Sequence, residues 1–275
     1  MEKEFLQNLL NKDILKIEEI QNKDGISVVR IFCGDGTFVL KYFENIEYAR
    51  EIEVYKLFKK LNIKTLLVKQ LGPNYILMED INSSKNLRLA VKEDLNNDNV
   101  LKYLAKWYKD LHKKGKNIDL SGFYCEYDWI NRKNIRGLSK ILSESVMNFL
   151  LDNIRKIEKL KNSFSYTLIY NDFDSCNLIV GKDCAFMFDY NFVGKGGAIQ
   201  DLQNVFAKLT PAKQQLFMKY YGDEQRNPRE EEIHKILSAL STLIIASKQK
   251  VFPKWGNGSL DYINSEEFNK KLVLV

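Results

Sequence analysis

The chain has 275 residues, 45% of them hydrophobic and 28% charged, with 42 Lys and Arg against 36 Asp and Glu for a formal net charge of +6. That is enough chain to bury a sizeable core, no run of about 18 uncharged apolar residues marks a membrane span, and the charged start Met1-Glu2-Lys3-Glu4 does not read as a signal peptide. Cys33, Cys125, Cys176 and Cys184 show neither CxxC spacing nor a histidine partner, which excludes the common zinc patterns and leaves reduced thiols in a cytoplasmic protein as the expectation.

In chain order, an amphipathic start leads to strands expected over Ile14 to Ile20, Ile26 to Phe32 and Thr37 to Phe43. The turns Asn22-Lys23-Asp24-Gly25 and Gly34-Asp35-Gly36 join them into an antiparallel meander. Asn45 to Leu61 reads as a helix with Ile46, Ala49, Ile52, Tyr55 and Phe58 on one face, followed by strands over Leu66 to Gln70 and Tyr75 to Met78. From Glu79 the texture changes to helices, expected over Asn99–Lys113, Ser139–Lys161, Gln200–Leu209, Ala212–Tyr221 and Arg229–Lys250. Thr210-Pro211 and Asn227-Pro228 supply start signals for the last two. One β-rich island interrupts them, Thr167 to Tyr190, with a hairpin around Gly181-Lys182-Asp183. Lysines such as Lys56, Lys59 and Lys60 lie among acids on helix faces, and no basic stripe interleaved with aromatics appears. Neither nucleic acid nor membrane is therefore an expected partner.

The island carries the chemistry. Tyr170-Asn171-Asp172-Phe173-Asp174-Ser175-Cys176-Asn177 precedes the hairpin, and Asp189 follows its second strand. An Asp, an Asn five residues on, and a hairpin ending in a second Asp reproduce the plan of a kinase catalytic loop and its metal-binding Asp. Phosphoryl transfer is mostly positioning and electrostatics. One carboxylate must orient the attacking hydroxyl, and oxygen ligands must hold a hard cation against the phosphates.

These residues, with Val39-Leu40-Lys41, Arg50-Glu51, Leu77-Met78-Glu79-Asp80, Leu111-His112, Met187-Phe188-Asp189-Tyr190 and Asp201-Leu202, resemble the aminoglycoside phosphotransferase and choline kinase superfamily over residues 14–210. The resemblance implies an α+β, two-lobed protein-kinase-like fold: an antiparallel-sheet N-lobe with one helix (residues 1–80, nucleotide-binding) and a mainly helical C-lobe with a catalytic-loop hairpin (residues 81–275, catalytic and substrate-binding). It implies ATP and Mg2+ as cofactors and transfer of the γ-phosphoryl group to a small-molecule hydroxyl. Lys41 would contact the phosphates and pair with Glu51, although Glu47 lies one helical turn away on the same face. Gly25 and Ser27 belong to the loop expected over the phosphates, and the backbone at Glu79 and Ile81 to the adenine contact. Asp172 would be the catalytic residue, Asn177 and Asp189 the magnesium ligands, and Asp201 the brace of the catalytic loop through its backbone. His112 and His234 sit in half-apolar helical contexts and are expected to pack or bond locally.

Two positions depart from the family pattern: Tyr170 stands where His is common, and Asp174 stands where protein kinases often place Lys. Asp174, with Tyr127, Asp128 and Trp129 from the segment Phe123–Trp129, gives carboxylates and aromatic faces that would suit one ammonium group on the acceptor. The alternative from another class is a catalytically weak nucleotide-binding module with a scaffolding role. Against it stands the joint presence of Lys41, Asp172, Asn177 and Asp189.

Overall fold

The computed structural model describes residues 3–222 and 228–275. The chain divides into two compact units, the first made of Met1–Leu111, Asp172–Val193 and Lys208–Tyr221, the second of His112–Asn171, Gly194–Ala207 and Gly222–Val275. The first unit opens with helix α1 (Lys3–Leu10), whose Leu6 is fully buried with Ile14, Val29, Ile31 and Leu40 of the sheet. Strands β1 (Ile14–Lys23), β2 (Ile26–Cys33), β3 (Gly36–Phe43), β4 (Val68–Leu71) and β5 (Tyr75–Glu79) form one antiparallel sheet in the order β1-β2-β3-β5-β4, as the expected meander requires. The first turn is tighter than Asn22–Gly25. Lys23 pairs with Ile26, and Asp24 and Gly25 have φ of 54° and 73°. That is the two-residue connection with both central residues left-handed, for which Asp-Gly is suited.

Helix α2 (Arg50–Leu61) starts later than expected, since Ile46–Tyr48 forms a separate 3-10 turn. It buries Glu51, Tyr55 and Phe58, a set at helical spacing, and ends at Asn62 in the left-handed cap conformation (φ 52°). Strand β6 (Leu87–Leu89) and helix α3 (Asp98–Gly115) follow.

In the second unit come α4 (Arg132–Arg136), α5 (Glu144–Asp152) and α6 (Ile154–Ser163). The single helix expected over Ser139–Lys161 is thus two. Ser143 caps α5 by accepting the Val146 N–H, so the helix starts there. At its other end the Phe149 carbonyl accepts both the Asn153 N–H at 3.1 Å and its side-chain Nδ2–H at 2.9 Å, and Asn153 itself leaves the helical conformation (φ −91°, ψ 6°) between the two helices. Strand β7 (Thr167–Ile169) pairs antiparallel with β10 (Gly194–Gly196). Between them in sequence, β8 (Leu178–Gly181) and β9 (Cys184–Met187) make the expected hairpin, which β6 extends within the first unit.

The helices α7 (Ala198–Phe206), α8 (Pro211–Tyr221), α9 (Pro228–Ser247), α10 (Asn257–Ile263) and α11 (Glu266–Leu274) complete the chain. Two of them start at the prolines; Asn227 lies outside the described residues. The pair α10 and α11 lies beyond the last expected helix, Arg229–Lys250, and Asn264-Ser265 separates its two members. Among the described residues no helix is long and apolar enough to cross a membrane, and the four cysteines are free.

The core of the second unit includes Tyr127, Ile135, Leu138, Leu150 and Leu240. Within it the Tyr127 hydroxyl donates to Nδ1 of buried His234 at 2.5 Å, and His234 Nε2–H donates to Gln203 at 3.0 Å. Burial lowers the pKa of His234 to about 4, so the imidazole stays neutral.

The end of α3 lies against β7. Thr167 Oγ1 donates to the His112 carbonyl at 2.6 Å, and a Cβ on Gly115 would sit 2.6 Å from the backbone nitrogen of Leu168. Gly-to-Ala in an open helix stabilises by up to about 1 kcal/mol. Here the sign reverses. Gly115→Ala is expected to lower unfolding stability by about 1–3 kcal/mol in urea titration, the usual cost of overpacking.

Candidate active site

The first unit holds a cavity of about 310 Å³ lined by residues of β1, β2, β3, β5 and α2 and by the segment around the β8–β9 hairpin. Strand alternation decides which side chains enter it. Val28 and Lys41 are cross-strand partners on the same face, and Lys41 is only 8% exposed. From α2, Glu51 reaches the same cavity and its carboxylate stands 2.6 Å from Lys41 Nζ. The side chain of Glu47, the other partner considered, lies outside the described residues. Lys41 also donates to Asp189 Oδ1 at 3.0 Å. Burial works against the lysine charge, but the Glu51 and Asp189 carboxylates outweigh it and raise its pKa, so Lys41 stays protonated.

Asp189 is left-handed at φ 60°, a conformation that Asp and Asn adopt more readily than other non-glycine residues. The next residue, Tyr190, locks the turn. Its N–H donates to Glu51 Oε1 at 3.0 Å, and its buried ring meets Tyr55 and Phe58 edge-on at 4.9 and 4.8 Å. One carboxylate on α2 therefore fixes both the lysine and the backbone beside Asp189.

Asp172 and Asn177 bracket a tight loop. Asn177 Nδ2 donates to Asp172 Oδ2 at 3.0 Å and to the Asp172 carbonyl at 3.3 Å. The Asp174 carboxylate accepts the Cys176 N–H at 3.1 Å, which starts the 3-10 turn Ser175–Asn177. Burial, and then the negative charge of Asp189, push the Asp172 pKa up to about 6. With its N–H donated to Asp172, Asn177 keeps its amide oxygen as an acceptor, 3.6 Å from Cys176 Sγ, and Asn177 and Asp189 line the same cavity. Oxygen donors of this kind fit a hard divalent ion. Among the described residues no cluster of three or more His, Cys, Asp and Glu could hold a metal.

The connector after β5 also borders the cavity, at Glu79 and Ile81. Glu79 Oε1 accepts the Leu67 N–H at 2.7 Å, and the buried Asp80 accepts Arg30 Nε–H at 2.9 Å and the Asn82 N–H at 3.1 Å. The Arg30–Asp80 pair was not anticipated. The signal was available, since Arg30 is two residues from Val28 and so shares its face of β2. Gly25 and Ser27 are not brought to the cavity wall. Gly25 sits in the β1–β2 turn, and Ser27 faces the opposite side of the sheet with Glu19 and Tyr42.

In the second unit, Asp201 is fully buried at the start of α7. Its carboxylate accepts the Tyr170 and Asn171 N–H groups at 2.7 Å each, and it bonds His112 Nε2 at 2.9 Å. Those two N–H groups directly precede Asp172 in the chain.

The residues expected to meet an ammonium group fare differently. Tyr127 is wholly buried and committed to His234, so its ring is core and not a binding face. Trp129 already carries Lys248 Nζ at 4.0 Å from its ring centroid, and the exposed Asp128 lies 3.8 Å from Lys161. Asp174 pairs with Lys208 at 3.4 Å besides capping its turn.

No family model matches the sequence, and no curated protein does. Solved structures do match it. The choline kinase LicA from Streptococcus pneumoniae matches with a TM-score of 0.63 at 16% identity, covering 99% of this chain and 98% of its own. LicA is also known in complex with AMP. A choline/ethanolamine kinase family protein from Mesorhizobium loti matches with a TM-score of 0.65 at 14% identity, over 94% and 91% of the two chains. The spectinomycin phosphotransferase APH(9)-Ia, solved with ADP and spectinomycin, matches with a TM-score of 0.56 at 14% identity, over 100% and 98%.

In the nucleotide- and metal-free protein the Asp172 carboxyl is expected to titrate with a midpoint of about 6 in carboxyl-detected NMR, and Asp189→Asn is expected to lower that midpoint by removing a repelling charge. Since the folded value lies above the ordinary one, ionising Asp172 removes stability as pH rises through that midpoint. Asp201→Ala, which strands buried N–H donors, is expected to cost about 1–3 kcal/mol of stability in chemical denaturation.

Proposed function

We propose that this chain, which has the protein-kinase-like fold of the choline kinase and aminoglycoside phosphotransferase superfamily, transfers the γ-phosphoryl group of ATP to a hydroxyl of a small molecule. The observation that carries this reading is the convergence of Lys41, Glu51, Asn177 and Asp189 on one cavity, with Asp172 bonded to Asn177 beside it. In this reading residues 1–80 hold the nucleotide, and residues 81–275 supply the catalytic loop and the acceptor side.

The division of labour follows from the charges. Lys41, kept protonated by its two carboxylates, neutralises phosphate oxygens and is oriented by Glu51. The Glu79–Ile81 backbone meets the adenine edge, while the side chains of Glu79 and Asp80 hold that backbone in place. Asn177 and Asp189 hold magnesium, which supplies charge neutralisation on the phosphates. Asp172 accepts a hydrogen bond from the acceptor hydroxyl and aims its oxygen at the phosphorus. A carboxylate whose pKa lies near 6 is ionised at neutral pH yet basic enough to take up the proton as the bond forms.

The acceptor class is a hydroxyl-bearing small molecule. An amine on it is supported by neighbours named for choline and ethanolamine, and no longer by Tyr127 or Trp129. A phosphoryl-transfer screen with labelled ATP over amino-alcohols, amino-sugars, neutral sugars and aminoglycosides tests the reading. Exclusive use of a neutral sugar would remove the amine.

The two carboxylates separate by variant. Asp172→Asn is expected to cut turnover by roughly 10²-fold or more while nucleotide affinity persists. Asp189→Asn is expected to weaken magnesium-dependent ATP binding, because it removes a ligand charge. Titration of both variants with ATP at several magnesium concentrations distinguishes them, and identical magnesium dependence would contradict the assignment.

A further inference from the structure

We propose that Asn171 is a positioning residue, clamped by Glu126 and Asp201 so that the chain enters Asp172 in one fixed direction; the inference rests on the phosphotransferase reading above. Asn171 is left-handed, with φ 63°. Asn enters that region more readily than other non-glycine residues, but something must select it over the other conformations open to the chain. Two acceptors on separate elements do so. The Asn171 N–H donates to Asp201 Oδ1 at 2.7 Å, and its side-chain Nδ2–H donates to Glu126 Oε1 at 3.0 Å.

Neither acceptor is loosely held. Asp201 is fully buried and bonded to His112 and to the Tyr170 N–H as well. Glu126 opens the 3-10 turn Glu126–Trp129, whose next residue, Tyr127, is fully buried and tied to His234. Backbone and side chain of one residue are thus each fixed. A residue that only filled a turn would need one of the two bonds, and many turn asparagines bond their own neighbours instead. Because the dihedral angles of Asn171 set where the next Cα and its side chain go, slack at this residue displaces the Asp172 carboxylate. A displacement of about 1 Å in a reacting group costs on the order of 10²-fold in rate.

The test uses the full chain and four variants, Glu126→Ala, Glu126→Gln, Asn171→Ala and Asn171→Gly. It reads phosphate release from MgATP with water as acceptor, MgATP affinity by calorimetry, melting temperature, and hydrogen exchange of the Leu168–Asp172 amides. Glu126→Ala is expected to lower release by about tenfold or more with MgATP affinity unchanged, and to speed exchange at Asn171. Glu126→Gln keeps an acceptor oxygen and retains most of the release. Asn171→Gly, which enters the left-handed region without strain, keeps more than Asn171→Ala. Wild-type release and wild-type exchange in Glu126→Ala would overturn the inference, as would losses in all four variants that merely track melting temperature. Should the wild-type protein neither bind nor turn over MgATP, the phosphotransferase reading fails by itself. The exchange measurement still decides this inference, and unchanged protection of Asn171 in Glu126→Ala overturns it.

Discussion

Lys41 and the turn at Asp189, in the candidate site of the first unit, both hang on the buried carboxylate of Glu51. A carboxylate at 1% exposure is costly unless its oxygens are matched, and α2 places it where a cation and a backbone N–H are both within reach. Lys41 supplies the cation and Tyr190 the N–H. Removing either partner of such a pair costs about 3–5 kcal/mol because the other is left charged in the interior. The pairing therefore sets the seating of α2 on the sheet, the reach of Lys41 and the path of the chain past Asp189. The rings of Tyr55, Phe58 and Tyr190 then close the apolar side of the same junction.

The second unit answers the same problem with the same device. Among the described residues, Asp201 pairs with no lysine; its carboxylate is shared by donors from the backbone ahead of Asp172 and from His112. Charge-assisted bonds of this kind are short and stronger than neutral ones, so a single buried acid can hold a loop in an otherwise unfavourable shape. In each unit the acid that does the holding is buried, and its oxygens are taken up by donors of its own unit.

Much of this was legible in the sequence, for identifiable reasons. The meander could be read because Asp24-Gly25 and Gly34-Asp35-Gly36 punctuate β-branched runs, and the β8–β9 hairpin because Gly181-Lys182-Asp183 does the same. Lys41, Asp172, Asn177, Asp189 and Asp201 could be singled out because their order along the chain is itself the pattern. Side-chain facing was not legible at residues 123–129. Aromatic residues next to carboxylates look alike whether the ring is a binding face or core, and only tertiary packing buries Tyr127 and lays Lys248 over Trp129. Asn153 illustrates a second limit. A polar residue inside a continuous helical pattern gives no warning that its own backbone will leave the helical region and split the run in two. The Glu126–Asn171 bond joins positions far apart in the chain, and no local periodicity points to it.

The β1–β2 turn has a kinetic consequence. Its Gly25 carbonyl accepts the Glu44 N–H at 2.9 Å, and the ring of Tyr48 lies close beside Gly25, so the tip is tethered to the far end of β3. The strands that line the cavity, through Ile20, Gln21 and Val28, therefore belong to a ladder pinned at both ends and not to a glycine-rich flap. A wall formed in advance reduces the ordering entropy lost when a ligand arrives, which favours affinity. It also slows local opening of the β1–β2 tip, tied to Glu44 and flanked by Tyr48, below the nanosecond motion of a free loop tip.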